Sequence, residues 1–136
     1  MKYLSTRGRI RSLTFKDAVM MGLADDGGLL LPESIPRLTP GDIAALEMLD
    51  YPELAFQILA RFVGDIPSAD LKGLIDRSYA GFTHPDITPV VHHNGVHILE
   101  LFHGPTLAFK DVALQFLGNL FEYLLAERGE KMNILG

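Results

Sequence analysis

The sequence predicts an α/β chain (α+β in the stretch at hand). A helical N-terminal unit over residues 1–85 leads into a β-hairpin, a long helix and the first strand of an α/β layer over 86–136. Three observations carry this. The residues up to about Gly81 repeat helix-start and helix-stop residues around apolar positions at helical spacing. Asn94-Gly95 then stands between two apolar-rich runs, the strongest short-range hairpin pattern, because both residues accept positive φ. Finally, an amphipathic run from Val112 to Leu125 is followed, after Gly129, by the apolar Met132-Asn133-Ile134-Leu135. A helix followed by an apolar strand is how a parallel layer begins.

The elements follow in order. Thr14 precedes Phe15, Val19 and Met20, with Asp17 three positions on, so a capped helix starts there and Gly22 ends it. Asp26-Gly27-Gly28 is a turn leading into Leu29-Leu30-Leu31, which Pro32 closes. Thr39-Pro40-Gly41-Asp42 opens a second helix, since proline at the first helical position gives up an N–H that has no intrahelical partner anyway. A third begins near Pro52 and buries Leu54, Ile58, Leu59 and Phe62 before Gly64. A fourth runs from about Ser68, on Leu71, Leu74 and Ile75, to Gly81. Ile87–His93 and Val96–Phe102 are the hairpin arms, and the turn His103-Gly104-Pro105 leads into the long helix.

Composition narrows the function. With 136 residues and 48% hydrophobic content the chain can bury a real core. Twelve Lys and Arg against 17 Asp and Glu, net −5, argue against nucleic acid as a partner, since phosphate neutralisation needs clustered positive charge. No apolar run reaches the length of a membrane span. Without cysteine there is no disulfide, no thiolate nucleophile and no cysteine zinc site. A cytoplasmic location is the expectation. Lys2, Arg7, Arg9, Arg11 and Lys16 all precede the first acid, Asp17. That pattern also suits an organellar transit peptide, but the segment is short and lacks the apolar core of a secretory signal.

One residue stands out chemically. Lys110 is expected in the first turn of the long helix, between Leu107-Ala108-Phe109 and Val112-Ala113-Leu114, with Asp111 the only nearby opposite charge. Burial in apolar surroundings lowers a lysine pKa, and a neutral amine can form a Schiff base. The competing reading is a structural Lys-Asp pair at a helix start. His103, seven residues earlier, either reaches an active site or stabilises its own turn. Thr106 reads most simply as the helix cap, and Phe102 and Phe109 as packing residues. His92 faces His97 and His93 faces Val96 across the hairpin, but two imidazoles fall short of a structural zinc set, so no metal is expected. Gly104-Pro105 is too little for a phosphate cradle, because proline removes an N–H. Ser5-Thr6-Arg7 is either an exposed strand end or a segment folding back with Arg7 available to an anionic group.

The run Glu100-Leu101-Phe102-His103-Gly104-Pro105-Thr106-Leu107-Ala108-Phe109-Lys110-Asp111, continuing Val112-Ala113-Leu114-Gln115-Phe116, resembles the threonine synthase family. So do Tyr3-Leu4-Ser5-Thr6-Arg7-Gly8 and Gly22-Leu23-Ala24-Asp25-Asp26-Gly27-Gly28-Leu29-Leu30-Leu31-Pro32-Glu33, in family order. A cleaved leader would therefore remove a family motif. The resemblance implies the tryptophan synthase β-subunit fold (fold type II) and the cofactor pyridoxal 5′-phosphate (PLP), held as a Schiff base by Lys110. Phe109 is placed beside the cofactor, and His103, Thr106 and Arg7 toward the substrate.

The implied reaction turns O-phospho-L-homoserine and water into L-threonine and phosphate, as a carbon–oxygen lyase of threonine biosynthesis. The chain is expected to be the N-terminal portion of that enzyme, missing the rest of the catalytic domain and inactive alone. A related PLP-dependent phospho-lyase and a non-catalytic helical docking module are the alternatives.

Overall fold

The computed structural model describes residues 1–133. Among them the elements run β1 (Tyr3–Ser5), α1 (Phe15–Met21), β2 (Leu30–Pro32), α2 (Pro40–Leu46), α3 (Tyr51–Leu59), α4 (Ser68–Tyr79), β3 (Val90–His93), β4 (Val96–Leu99) and α5 (Asp111–Arg128). The mixture of helices and small antiparallel sheets agrees with the expected fold class. Two compact units divide the chain: Met1–Leu49 with Glu53–Leu71, and Asp50–Pro52 with the residues from Lys72 on.

The first unit holds a sheet that local sequence patterns did not announce. β1 pairs antiparallel with β2, Tyr3 opposite Pro32, Leu4 opposite Leu31 and Ser5 opposite Leu30. Along its other edge Tyr3 exchanges both backbone hydrogen bonds with Leu13 at 3.0 Å. Pro32 is tolerated because it ends an edge strand, where a missing N–H breaks no ladder. The Tyr3 ring is buried, and its hydroxyl donates to the Phe62 carbonyl at 3.1 Å. Helix starts follow the sequence reading. Thr14 Oγ1 accepts the Asp17 N–H, and Thr39 with Asp42 completes a reciprocal capping box ahead of Pro40. Gly22, at φ 68°, ends α1. Ala18, Ala24, Val63, Ile66 and Leu71 close the core of this unit.

The second unit is built on the C-terminal half of α4 and on α5. Leu74 and Ile75 on α4, and Leu120 and Leu124 on α5, are buried at the apolar spacing the sequence displays. Ser78 Oγ, also buried, donates to the Leu74 carbonyl at 2.6 Å and accepts the Asn119 side-chain amide at 3.1 Å, so the two helices share a hydrogen bond. Tyr79 meets the rings of Tyr51 and Phe82 edge-on, with centroids 4.9 and 5.5 Å away. Ile87 is buried at φ 59°, a conformation that is costly for a β-branched side chain and is held here by burial. The hairpin forms in the expected register, His92 opposite His97 and His93 opposite Val96, with Asn94 and Gly95 at φ 48° and 79°. Gly129, left-handed, stops α5. Of the expected last strand, Met132 and Asn133 carry no regular structure, and Ile134 and Leu135 lie outside the described residues.

Candidate active site

The lysine-bearing turn is shaped by one carboxylate. α5 begins at Asp111, and Lys110 occupies its N-cap position in right-handed helical conformation without a side-chain cap. Between Gly104 and Lys110 the backbone makes tight turns. The Leu107 N–H reaches the Gly104 carbonyl at 3.1 Å, and the Asp111 N–H reaches the Ala108 carbonyl at 2.9 Å. Asp111, only 3% exposed, points back into this turn. Its Oδ2 accepts the Thr106 N–H at 2.7 Å and the Thr106 hydroxyl at 2.9 Å, while Oδ1 accepts the Gln115 amide at 3.2 Å. Burial alone would raise the Asp111 pKa. The donors from Thr106, Gln115 and the Ala108 backbone outweigh it and hold the carboxyl below the usual aspartate range.

Two sequence expectations are corrected here. Thr106 is not the helix cap: it lies five residues ahead of Asp111 and is itself held by that side chain. The competing reading of a Lys110–Asp111 pair is not met either, and the apolar flanks of Lys110 do not bury it. Lys110 is exposed, as are Leu107, Ala108, Phe109 and Leu114, and among the described residues its amine has no hydrogen-bond or ion-pair partner. The adjacent acid is spent on the turn. Phe109, 66% exposed, packs on nothing that would bury it.

His103 sits at the entrance to the turn. Its Nε2–H donates to Glu100 Oε2 at 2.7 Å, with both side chains largely buried. Its carbonyl accepts the Thr83 N–H at 2.9 Å and the Thr83 hydroxyl at 3.2 Å. The ring lies against Phe102 and His84, with centroids 4.7 and 5.0 Å away. These contacts stabilise the turn.

Arg7 belongs to the other unit, in a loop organised by Asp26. Asp26 Oδ1 accepts the Ser5 hydroxyl at 2.6 Å and the Gly28 N–H at 2.9 Å, and Oδ2 accepts the Arg9 N–H at 3.1 Å. The Ser5 hydroxyl is the largest influence lowering the Asp26 pKa. Arg7 donates from Nη1 to the Asp26 carbonyl at 2.9 Å, so its guanidinium is oriented while remaining exposed. Thr6 also serves the loop, its Oγ1 accepting the Leu29 N–H at 3.0 Å. Among the described residues no group of three or more His, Cys, Asp or Glu side chains could hold a metal ion, and no helix is long and apolar enough to cross a membrane.

Asp111, Glu100 and Asp26 were missed as site-building residues. An acid in a first helical turn or ahead of Gly-Gly is common for local reasons, so only the spatial partner distinguishes these three.

Known proteins resemble this chain in sequence and fold. The threonine synthase of Schizosaccharomyces pombe is 51% identical over 129 residues, covering 93% of this chain and 25% of that protein. That of Pseudomonas aeruginosa is 49% identical over 138 residues, covering 100% of this chain and 29% of its own length. The crystal structure of a PLP-bound threonine synthase from Brucella melitensis superposes with a TM-score of 0.92 at 47% identity, over 96% of this chain and 29% of that one. The chain thus spans between a quarter and three tenths of the length of these relatives. The model of the threonine synthase N terminus matches residues 2–79, more than half of the sequence, and the chain therefore belongs to the threonine synthase N-terminal family.

Proposed function

We propose that these residues form the N-terminal part of a threonine synthase in which Lys110 holds PLP for the conversion of O-phospho-L-homoserine and water to L-threonine and phosphate. The observation that carries this reading is the Lys110 amine, exposed at the head of α5 and without a partner among the described residues, while the neighbouring carboxylate is turned away. Such an amine fits the carbonyl end of the cofactor. Residues 105–107 offer the phosphate end no free N–H. Pro105 has no N–H, the Thr106 N–H is committed to Asp111, and the Leu107 N–H to Gly104. The phosphate must be held by other residues.

When bound, PLP supplies an electron sink for charge developing on substrate carbon. The protein's share is positioning and proton movement. Lys110 Nζ would take and return protons at substrate carbon. Exposed Phe109 offers an apolar ring beside it, and the turn anchored by His103–Glu100 and Thr106–Asp111 fixes where that amine emerges. Arg7, oriented by the Asp26 carbonyl, is suited to an anionic substrate group. Because the chain spans under a third of its relatives' length, these 136 residues by themselves are expected to show no turnover.

The test is borohydride reduction of the intact protein in the presence of PLP, followed by peptide mapping. The pyridoxyl group is expected on Lys110. Its appearance at another lysine, or the absence of threonine formation from O-phosphohomoserine by the intact enzyme, would overturn the assignment.

A further inference from the structure

We infer that Asp111 is a positioning residue for Lys110, acting through Thr106 as a clamp that closes the 104–111 turn and fixes where the adjacent amine emerges. The inference rests on the proposed role of Lys110 and adds to it a named part of the machinery.

Four observations converge. First, Asp111 is the one buried charged residue among the described residues, and it is next in sequence to an exposed lysine with which it makes no ion pair. Successive residues at a helix start point in different directions, so the carboxylate turns toward the loop rather than toward Lys110. Here three donors occupy the carboxylate: the Thr106 N–H, the Thr106 hydroxyl and the Gln115 amide.

Second, the turn contains Leu107 at φ 60°. A leucine in the left-handed region stores strain, so some contact must hold it, and the two bonds from the preceding residue to Asp111 do so. Third, a side chain on Gly104 would meet Asp111 Oδ2 at 2.6 Å and Cγ at 2.8 Å. The backbone of Gly104 therefore forms the wall against which the carboxylate sits, and glycine is needed there for close approach. Fourth, Lys110 is the N-cap residue and has no side-chain cap. The direction in which α5 begins, and with it the direction of the Lys110 side chain, is set by the turn that Asp111 closes.

The carboxylate acts by geometry rather than by charge. Oδ2 takes two donors and Oδ1 one. An asparagine in its place can accept both Thr106 bonds with its carbonyl oxygen, and Gln115 can rotate its amide to accept from the new NH₂. Alanine can do neither.

The experiment compares Asp111→Ala, Asp111→Asn and Thr106→Val with the unaltered intact protein. Two quantities are read: the rate at which borohydride fixes a pyridoxyl adduct on Lys110 at a set PLP concentration, and hydrogen exchange of the Thr106 amide without PLP. Asp111→Ala should slow adduct formation at least tenfold, on the order expected when a reacting group loses its orientation, and should abolish Thr106 protection. Asp111→Asn should restore both to within about threefold, because its hydrogen-bonding shape is retained. Thr106→Val, from an exposed position, removes one of the two bonds to the same oxygen. It should fall between them, and it keeps the test open if Asp111→Ala fails to fold.

Adduct formation unchanged in both Asp111→Ala and Thr106→Val would overturn the inference. So would an Asp111→Asn protein as impaired as the alanine variant, which would assign the effect to charge. Failure of the unaltered protein to label Lys110 overturns the cofactor role instead, while the Thr106 exchange data still report on the clamp.

Discussion

The Tyr79 hydroxyl donates to the Val112 carbonyl at 3.1 Å, tying the last turn of α4 to the first turn of α5. The Tyr51 ring packs edge-on against Tyr79, with centroids 4.9 Å apart, so an aromatic pair backs the bond that ends on the helix carrying Lys110. Tyr79→Phe removes the bond while keeping the ring against Tyr51 and Phe82. It should cost about 1 kcal/mol, the usual net value of an intramolecular hydrogen bond. Urea denaturation of the two proteins measures it, and an unchanged midpoint would count against a structural role for the Tyr79–Val112 bond.

Burial separates leucines on the same helix. Leu124 is fully buried, whereas Leu114 is half exposed. Leu124→Ala should destabilise by about 2–5 kcal/mol through lost transfer and a residual cavity, and Leu114→Ala by about 0.5 kcal/mol or less. Thermal denaturation followed by circular dichroism separates the two, and equal losses would contradict the packing described.

Two glycines should respond in opposite directions. Gly118, inside α5, has nothing within 4 Å of an added Cβ, so Gly118→Ala should stabilise by about 0.5–1 kcal/mol through helix propensity. At Gly28 an added Cβ would run into the Ser5 hydroxyl and come within 3.0 Å of the Arg7 nitrogen. Gly28→Ala should destabilise by about 1–3 kcal/mol, the range for overpacking. Denaturant midpoints for the pair decide it.

Stability should fall at both ends of the pH scale. Asp26, Asp42 and Asp111 all titrate below the usual aspartate range. For Asp26 the Ser5 hydroxyl is the chief cause, for Asp42 the bonds from Thr39, and for Asp111 donors that overcome burial. Each binds its proton more weakly folded than unfolded. Their contribution is therefore complete above about pH 4 and is lost as the pH falls through the folded values. Tyr3, Tyr51 and Tyr79 are raised, burial leading in each case. Their contribution is complete below about pH 10 and is lost as the pH rises toward the folded values. Denaturation midpoints from pH 2 to 12 should trace a plateau with two falling shoulders. A midpoint still rising below pH 4 would contradict the carboxylate hydrogen bonds.

Helices and hairpin were legible because their causes are local. Thr14, Thr39 and Asn94-Gly95 act on residues within one turn of themselves, so the string of letters contains cause and effect together. The pairing of Tyr3 with Pro32 joins distant segments whose strands are three residues long, too short for alternation to declare itself. At the candidate site the letters singled out Lys110 and its turn, but for Asp111 they offered no partner beyond the competing reading of a pair with Lys110. Nearness in sequence suggested that pair, whereas the fold of the turn delivered three other donors.

The Asp26 loop changes what counts as a motif in this chain. Ser5-Thr6-Arg7-Gly8 and Asp26-Gly27-Gly28 look like two signatures some twenty residues apart, yet Ser5 lies against Gly28, Arg7 against Gly27, and one carboxylate bonds to Ser5, Arg9 and Gly28. They are two halves of a single fitted joint. A chimaera that takes one half from a relative and leaves the other behind would bring together surfaces never shaped for each other, whereas exchanging both at once transplants the joint whole.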